Sequence, residues 1–206
     1  MKKRLLRYLA LTATAGAALL LLLVFGTGDA GLTQRLLNGI EARALAGRST
    51  LPDKLLLKGL YQGMMLTGRL RYPQATAFLR YYVGGRGDTL RFDARALLRH
   101  PEVQQALQRR KTAITFRHQP PPRPTYHAVR RTDWDLFYTF DLLFIRQQGG
   151  QVEFYDQYYF QPLQRRSRTP FRIGNIRFKL NDGLIHVAYP EAKRFTSYGQ
   201  AAWARR

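Results

Sequence analysis

The sequence contains no cysteine among its 206 residues. This absence excludes disulfides, cysteine-ligated zinc, iron–sulfur clusters and a thiol nucleophile. It does not determine the compartment, because exported proteins can also lack cysteine. Histidine is scarce as well: the four histidines show neither the H-x-x-x-H nor the H-E-x-x-H spacing that is typical of zinc sites. We therefore expect no metal and no cofactor.

Two further catalytic signatures are missing. No G-x-S-x-G occurs, so the sequence carries no local motif of a serine hydrolase. The glycine-rich stretch Gly84-Gly85-Arg86-Gly87 is not a P-loop, because no Gly-Lys-Ser/Thr follows it. Without a complete catalytic motif, the sequence favours a non-catalytic protein.

Acidic residues are few. Lys and Arg number 34 against 13 Asp and Glu, which gives a net charge of +21, and 27 of the basic residues are arginine. Such a charge suits an anionic partner, such as phospholipid headgroups, lipid phosphates or nucleic acid. Arginine in particular binds phosphate in a bidentate manner. The alternative is an ordinary solvated surface that happens to be rich in arginine.

The N-terminus has the pattern of a membrane segment. Tyr8 to Gly28 carries no charge, and as a helix it would span roughly 32 Å, close to the thickness of a bilayer core. Lys2, Lys3, Arg4 and Arg7 precede it. By the positive-inside rule we expect a single-pass signal anchor in the bacterial inner membrane, with a cytoplasmic N-terminus and a periplasmic C-terminal domain. The alternative is a signal peptide that is cleaved after Ala30.

Export would leave a strongly basic chain. The first 30 residues hold four Lys and Arg and one Asp, so residues 31–206 keep a net charge of +18. The basic character therefore belongs to the exported part and is not only a targeting signal.

The exported part is predicted to be α+β, with a helical region over 31–111 followed by an antiparallel, hairpin-rich β region over 112–206. We expect the two regions to form one compact domain after the anchor or signal peptide of residues 1–30. Hydrophobic periodicity and the positions of Pro and Gly predict helices over 32–46, 53–70 and 73–83, and a short helix that begins at Pro101. Alternating apolar residues and turn signals predict strands over 112–118, 134–145, 152–160, 171–180 and 184–189.

Carboxylates are concentrated near one predicted hairpin. Asp133, Asp135 and Asp141 would share a face of the strand over 134–145, and Asp156 lies in its hairpin partner. Such a cluster can hold a cation or supply a general base. The alternative is cross-strand pairing with arginine that organises the sheet.

Two stretches within residues 75–195 resemble the activity domain of colicin M and related bacteriocins. They are Phe78 to Gly87, FLRYYVGGRG, and Asp156 to Phe160, DQYYF. The resemblance implies a hydrolase that cleaves the lipid-linked peptidoglycan precursor in the periplasm, with Asp156 and Tyr158 at the first Asp and Tyr of the family motif. The motif's second Asp is Tyr159 here, and its His-Arg pair falls near Arg165 and Arg166. Loss of a carboxylate and of a histidine puts the hydrolysis in doubt.

The sequence thus favours a membrane-anchored periplasmic domain without catalysis, which binds anionic lipid, lipid phosphate or a membrane partner protein. The anion-binding residues are predicted to be Arg165, Arg166, Arg168 and Arg172, which crowd a segment between two strands. The first alternative is a colicin M-like hydrolase of a polyprenyl-diphosphate-linked precursor, with Asp156 as its catalytic residue. The second is a nucleic-acid-binding protein, although export would separate the chain from cytoplasmic nucleic acid.

Overall fold

A computed structural model describes residues 29–116, 135–136, 138–140, 142–164, 168–173 and 176–203. The predicted membrane segment, Tyr8 to Gly28, lies outside these residues. Within the ranges that the structure describes, no helix combines the length and the apolar character needed to cross a bilayer.

Five α-helices have defined bounds: α1 (Ala30–Leu45), α2 (Leu51–Arg71), α3 (Pro73–Val83), α4 (Pro101–Gln108) and α5 (Leu184–Ala188). A 3-10 turn, Leu97–Arg99, precedes α4. Helix α3 begins at Pro73, whose missing N–H costs nothing in the first turn. It ends before Gly84 and Gly85, and Gly85 has a φ of +66°. The predicted helices over 32–46, 53–70 and 73–83, and the one that begins at Pro101, are confirmed to within two residues at each start.

Within the described residues, seven strands form two sheets. They are β1 (Leu90–Asp93), β2 (Ala113–Thr115), β3 (Leu142–Gln148), β4 (Gln151–Tyr158), β5 (Arg168–Ile173), β6 (Ile176–Asn181) and β7 (Phe195–Ala202). The larger sheet has the order β1-β7-β4-β3-β2, and β5 and β6 pair separately. The predicted hairpin turn at Gly149-Gly150 joins β3 to β4. Both glycines have positive φ, as a two-residue hairpin turn requires.

The chain is α+β, as predicted, but its larger sheet is mixed rather than antiparallel. Strand β1 lies within the region predicted to be helical and pairs in parallel with β7, the last strand. The other pairs in the sheet are antiparallel. The expectation of an antiparallel β region over 112–206 holds for the described strand pairs of that region. The sequence does not reveal that β1, from the region predicted to be helical, joins them in parallel.

One predicted strand, over 184–189, was wrong, and two others were right only in part. Residues 135–136 and 138–139 are helical, so β3 begins only at Leu142. The apolar run after Gly183 is the short helix α5, since a buried run of five residues fits either structure. The predicted strand over 171–180 is divided between β5 and β6, which form a hairpin of their own.

The described residues fall into two compact units. The first unit comprises residues 29–67 and 160–192, and the second comprises residues 68–159 and 193–203, less the gaps given above. In the first unit, apolar side chains from α2 and α5 are fully buried, among them Leu57 and Leu184. Buried Glu41 accepts a hydrogen bond from the Asn181 side chain at 3.0 Å.

The second unit has an aromatic core. Phe78, on α3, is 1% exposed and its ring contacts four other rings, with centroids 5.5–5.9 Å apart: those of Phe92, Phe140, Tyr158 and Phe195. These rings come from α3 and from one face of the mixed sheet, except for that of Phe140. They cover one face of the sheet, which we call the inner face. The opposite face, the outer face, points away from this core.

Candidate functional site

Asp156, the predicted catalytic residue, lies on the inner face of β4 and is 6% exposed. Its carboxylate accepts a hydrogen bond from the backbone N–H of Gln157 at 2.7 Å. Across the sheet its register partner is Ser197, which is also buried. A carboxylate in this position is part of the packed interior of the second unit.

The predicted carboxylate cluster does not form as a strand face. Asp135 lies in a helical segment, where its carboxylate accepts hydrogen bonds from the backbone N–H groups of Gln74 and Ala75. Asp133 and Asp141 lie outside the described residues. The expectation that these three aspartates share a strand face, with Asp156 on the hairpin partner, was therefore wrong at Asp135. A helix does not place every second residue on one face, as a strand does.

The predicted anion-binding arginines are only partly within the described chain. The Arg168 guanidinium forms an ion pair with Glu41 at 3.0 Å, and the Glu41 side chain is 6% exposed. Arg172 lies on β5, and Arg165 and Arg166 lie outside the described residues. Arg168 thus neutralises a buried carboxylate of its own unit, and the predicted four-arginine site stays a prediction.

The outer face of the mixed sheet presents a different set of residues. On β4 every second residue is buried, and Glu153, Tyr155 and Gln157 alternate with them on the outer side. Strand register places one transverse row across all five strands, which runs Arg91, Tyr198, Tyr155, Phe144 and Ala113. This row is the centre of the outer face.

Apolar side chains are exposed on this face. Tyr155 is 41% exposed and Leu142 is 37% exposed, while Phe144 is half-buried. The rings of Phe144 and Tyr155 stack on each other with centroids 5.1 Å apart and an interplanar angle of 11°. Leu142 lies two residues before Phe144 on the same side of β3. We call these three residues the outer-face patch.

A basic turn follows helix α4. Arg109, Arg110 and Lys111 are all exposed. The N–H of Lys111 donates to the carbonyl of Ala106 at 2.9 Å and that of Arg110 to Leu107 at 3.1 Å, the two bonds of a Schellman motif.

Arg110 occupies the position where such a motif usually has glycine. Its φ is +53°, and it is the one non-glycine residue with positive φ among those that the structure describes. A left-handed conformation costs an L-residue roughly 1–2 kcal/mol. Arg110, the middle one of three consecutive cations, therefore lowers the local stability of this turn.

Two hydrogen bonds place the basic turn beside Arg146 on β3. The backbone N–H of Ile145 donates to the carbonyl of Thr112 at 2.7 Å, and the Gln147 side chain donates to the carbonyl of Leu107 at 3.2 Å. The Arg146 side chain is 68% exposed. We call Arg109, Arg110, Lys111 and Arg146 the basic cluster; their backbones lie close together at the β2–β3 edge of the larger sheet.

Polar groups connect the cluster to the centre of the face. Arg146 is 3.7 Å from Glu153, a long and half-solvated ion pair. The Tyr198 hydroxyl donates to Glu153 at 3.0 Å, and this hydrogen bond raises the pKa of Tyr198 above its usual value. The Arg91 guanidinium lies 5.9 Å from the centre of the Tyr198 ring. Cations therefore flank the outer-face patch on two sides.

In the sequence, Arg109-Arg110-Lys111 is only a short run of positive charge. Nothing in the order of residues indicates that this run meets Arg146, which comes 35 positions after Lys111. The alternation Leu142, Phe144 was visible, but an alternating apolar face is normally the buried one. Here the buried face of β3 is carried by Leu143 and Ile145 instead.

Fold and surface together define an α+β protein with a basic, partly aromatic sheet face. Comparison with protein-family models found no match to this chain, and comparisons with curated proteins and with solved structures found none either. The resemblance to the colicin M activity domain therefore stays a prediction from the residues that carry it. In the part of the chain that the structure describes, no three His, Asp or Glu side chains are grouped so that they could hold a metal ion.

Proposed function

We propose that this protein is a non-catalytic domain, anchored in the bacterial inner membrane and facing the periplasm, that binds anionic components of the cell envelope. The observation that carries this proposal is the basic cluster, in which hydrogen bonds bring the segments of four exposed cations together at the β2–β3 edge of the mixed sheet. Their charges can act together on one phosphate-bearing surface.

The cluster is available to an external anion. Its one ion pair among the described residues is the contact of Arg146 with Glu153 at 3.7 Å. An exposed pair of this kind contributes little free energy. A phosphate can replace it with a shorter, bidentate contact to the guanidinium.

Two buried acidic residues, Asp53 and Glu41, are paired with arginine within the protein. Asp53 accepts two hydrogen bonds from the Arg43 guanidinium, at 2.6 and 3.0 Å. Glu41 is paired with Arg168 and hydrogen-bonded to Asn181. The excess of basic residues is therefore expressed largely at the surface, which supports an anionic partner.

Burial of Asp156 supports binding rather than hydrolysis. A general acid or base must lie within hydrogen-bond reach of its substrate. Asp156 is only 6% exposed, so in this conformation a lipid-diphosphate substrate does not reach its carboxylate. The hydrolase would require that face of β4 to open.

The proposal is tested with the full chain held in nanodiscs of neutral phosphatidylcholine, so that the apolar N-terminal segment has a lipid environment. These nanodiscs are mixed with phosphatidylglycerol vesicles or phosphatidylcholine vesicles, and co-flotation is measured at low and high salt. We expect binding to the anionic vesicles alone, weakening as salt rises. Equal binding to both vesicle types would contradict the proposal.

A charge-matched pair of variants locates the binding. Arg109→Gln/Arg110→Gln/Lys111→Gln removes three charges from the cluster. The control Arg35→Gln/Arg48→Gln/Lys54→Gln removes three exposed charges from the first unit. Each cation at an anionic surface contributes about 1 kcal/mol, so we expect the cluster variant to bind at least about tenfold more weakly than the control. Equal losses would mean that total charge matters and that the cluster is not the site.

A further inference from the structure

The outer-face patch is an unusual feature for a sheet that faces water. One side of the sheet already holds the core, with Leu143, Val152 and Phe154 fully buried. The opposite side of such a sheet normally carries polar residues. Instead, Leu142, Phe144 and Tyr155 form a contiguous surface through register and ring stacking.

From this arrangement we propose that the outer face is a membrane-docking surface, on which the patch enters the headgroup region of an anionic bilayer. The occupant is a bilayer rich in anionic phospholipid. This inference rests on the proposed function and names the ligand and the contact surface.

Charge complementarity supports a bilayer as the occupant. Arg146 follows Phe144 by two residues on the same side of β3, and Arg91 lies across the sheet on the edge strand β1. β1 and β3 are separated by three strand spacings, which is a distance of about 15 Å between the two strands. The distance is large enough for the cations to reach different phosphates while the apolar side chains between them point into the same layer.

The chemistry of the patch fits the interfacial layer rather than the bilayer core. Tyrosine and phenylalanine are favoured at headgroup depth, and Arg side chains reach phosphates from the same depth. Phe144 and Tyr155 stack face to face, so each ring covers one face of the other. Such a pair is a poor platform for a nucleobase, which needs an open ring face on which to stack.

The predicted anchor makes weak docking effective. A chain held at the membrane by Tyr8 to Gly28 would present the sheet at a high effective concentration of lipid. A few interfacial side chains and a cationic rim then suffice to hold it against the surface.

The first test reads the position of the patch directly. Tyr155→Trp places a fluorophore in the patch, and Leu66→Trp places one at an exposed site on α2 outside it. Each full-length variant, in neutral nanodiscs, is mixed with phosphatidylglycerol vesicles whose acyl chains are brominated, and the unsubstituted protein is subtracted. We expect strong quenching and a blue shift for Trp at 155 and neither for Trp at 66.

The second test removes the patch and keeps strand propensity. Leu142→Thr/Tyr155→Thr should lower affinity for phosphatidylglycerol vesicles about tenfold or more through lost apolar burial, with the dependence on salt unchanged. The control Leu66→Gln/Leu70→Gln removes two exposed leucines from α2 and should bind like the unsubstituted protein. Circular dichroism establishes that each variant folds, and the Tyr155→Trp protein reports on the patch even if the double variant does not fold.

The outcomes separate the two proposals. If the protein binds anionic vesicles while Trp at 155 is not quenched, the docking surface is overturned and the proposed function stands. If it binds no anionic vesicles, the proposed function fails and the docking surface with it. If single-stranded DNA binds instead, and Tyr155→Thr weakens that binding, the outer face belongs to a nucleic-acid site and the bilayer is excluded.

Discussion

Asp135 caps helix α3 through Ala75, whose backbone N–H donates to the Asp135 carboxylate at 2.8 Å. A second N–H, from Gln74, donates at 3.1 Å. Helix α3 has no side-chain cap of its own, since Tyr72 precedes it. Burial raises the pKa of the Asp135 carboxyl above its usual value, while the two N–H groups favour its charged form. A residue 60 positions away thus completes the start of this helix.

Removal of this cap should destabilise the protein. Asp135→Ala leaves two N–H groups at the helix N-terminus without their acceptor, and we expect a loss of about 1–2 kcal/mol in the free energy of unfolding. Asp135→Asn retains an oxygen acceptor and should lose less. Urea denaturation of the three proteins gives the comparison, and equal stability of Asp135→Ala and the unsubstituted protein would show that the cap contributes nothing.

Phe78 is the centre of the aromatic core in the second unit. Phe78→Ala should lower the free energy of unfolding by about 3–5 kcal/mol, because it removes a fully buried ring and leaves a cavity among four others. Phe78→Leu fills part of that cavity and should cost less. Thermal denaturation followed by near-ultraviolet circular dichroism measures both. A loss below about 1 kcal/mol for the alanine variant would mean that the core does not pack as described.

Arg110 should show opposite effects on stability and on binding. Arg110→Gly removes the strain of a left-handed arginine at φ +53°, and we expect a gain of about 0.5–1 kcal/mol in the free energy of unfolding. The same change removes one cation and should weaken binding to phosphatidylglycerol vesicles. Denaturation and co-flotation of one preparation measure both effects. Loss of stability with unchanged binding would contradict both the strain and the functional role of this residue.

The pair of Asp53 and Arg43 should make stability depend on pH. The Arg43 guanidinium lowers the pKa of the Asp53 carboxyl to about 2 from its ordinary value of 3.8. A lowered pKa in the folded state contributes stability that is present above 3.8 and is lost as the pH falls toward 2.

Asp53→Asn isolates this contribution. The difference in free energy of unfolding between the two proteins should be about 1–2 kcal/mol at neutral pH, allowing for the half-exposed Arg43. It should shrink as the pH is lowered from 4 to 2, a range taken from the pKa values above. A difference that stays constant across this range would show that the carboxylate charge is not responsible.

Much of the helical structure could be predicted because proline and glycine residues mark where the elements begin and end. Pro73 and Gly84 mark both ends of α3, and Gly149-Gly150 marks the β3–β4 turn. Strand β7 was not predicted, since Gly199 and two small residues near its end weaken the pattern. In the structure the Phe92 ring covers Gly199, and a Cβ there would lie 2.5 Å from that ring. The ring of Phe92, on the distant strand β1, thus fills the space left by the missing side chain of Gly199.

The candidate site was harder to predict than the fold. A net charge of +21 predicts an anionic partner but no location. The basic cluster depends on the pairing of β2 with β3, which are separated in the sequence by the proline-rich residues 119–124. Leu142 and Phe144 look like core residues in sequence, and only the register shows that they lie on the outer face with Tyr155.

The most direct test of the central claim is the affinity of the full-length protein, in neutral nanodiscs, for vesicles with increasing phosphatidylglycerol content. Our account predicts that affinity rises with the anionic fraction, falls with salt, and loses most of its dependence on both when Arg109, Arg110 and Lys111 are replaced by glutamine. Affinity that is independent of the anionic fraction, or unaffected by these substitutions, would contradict it.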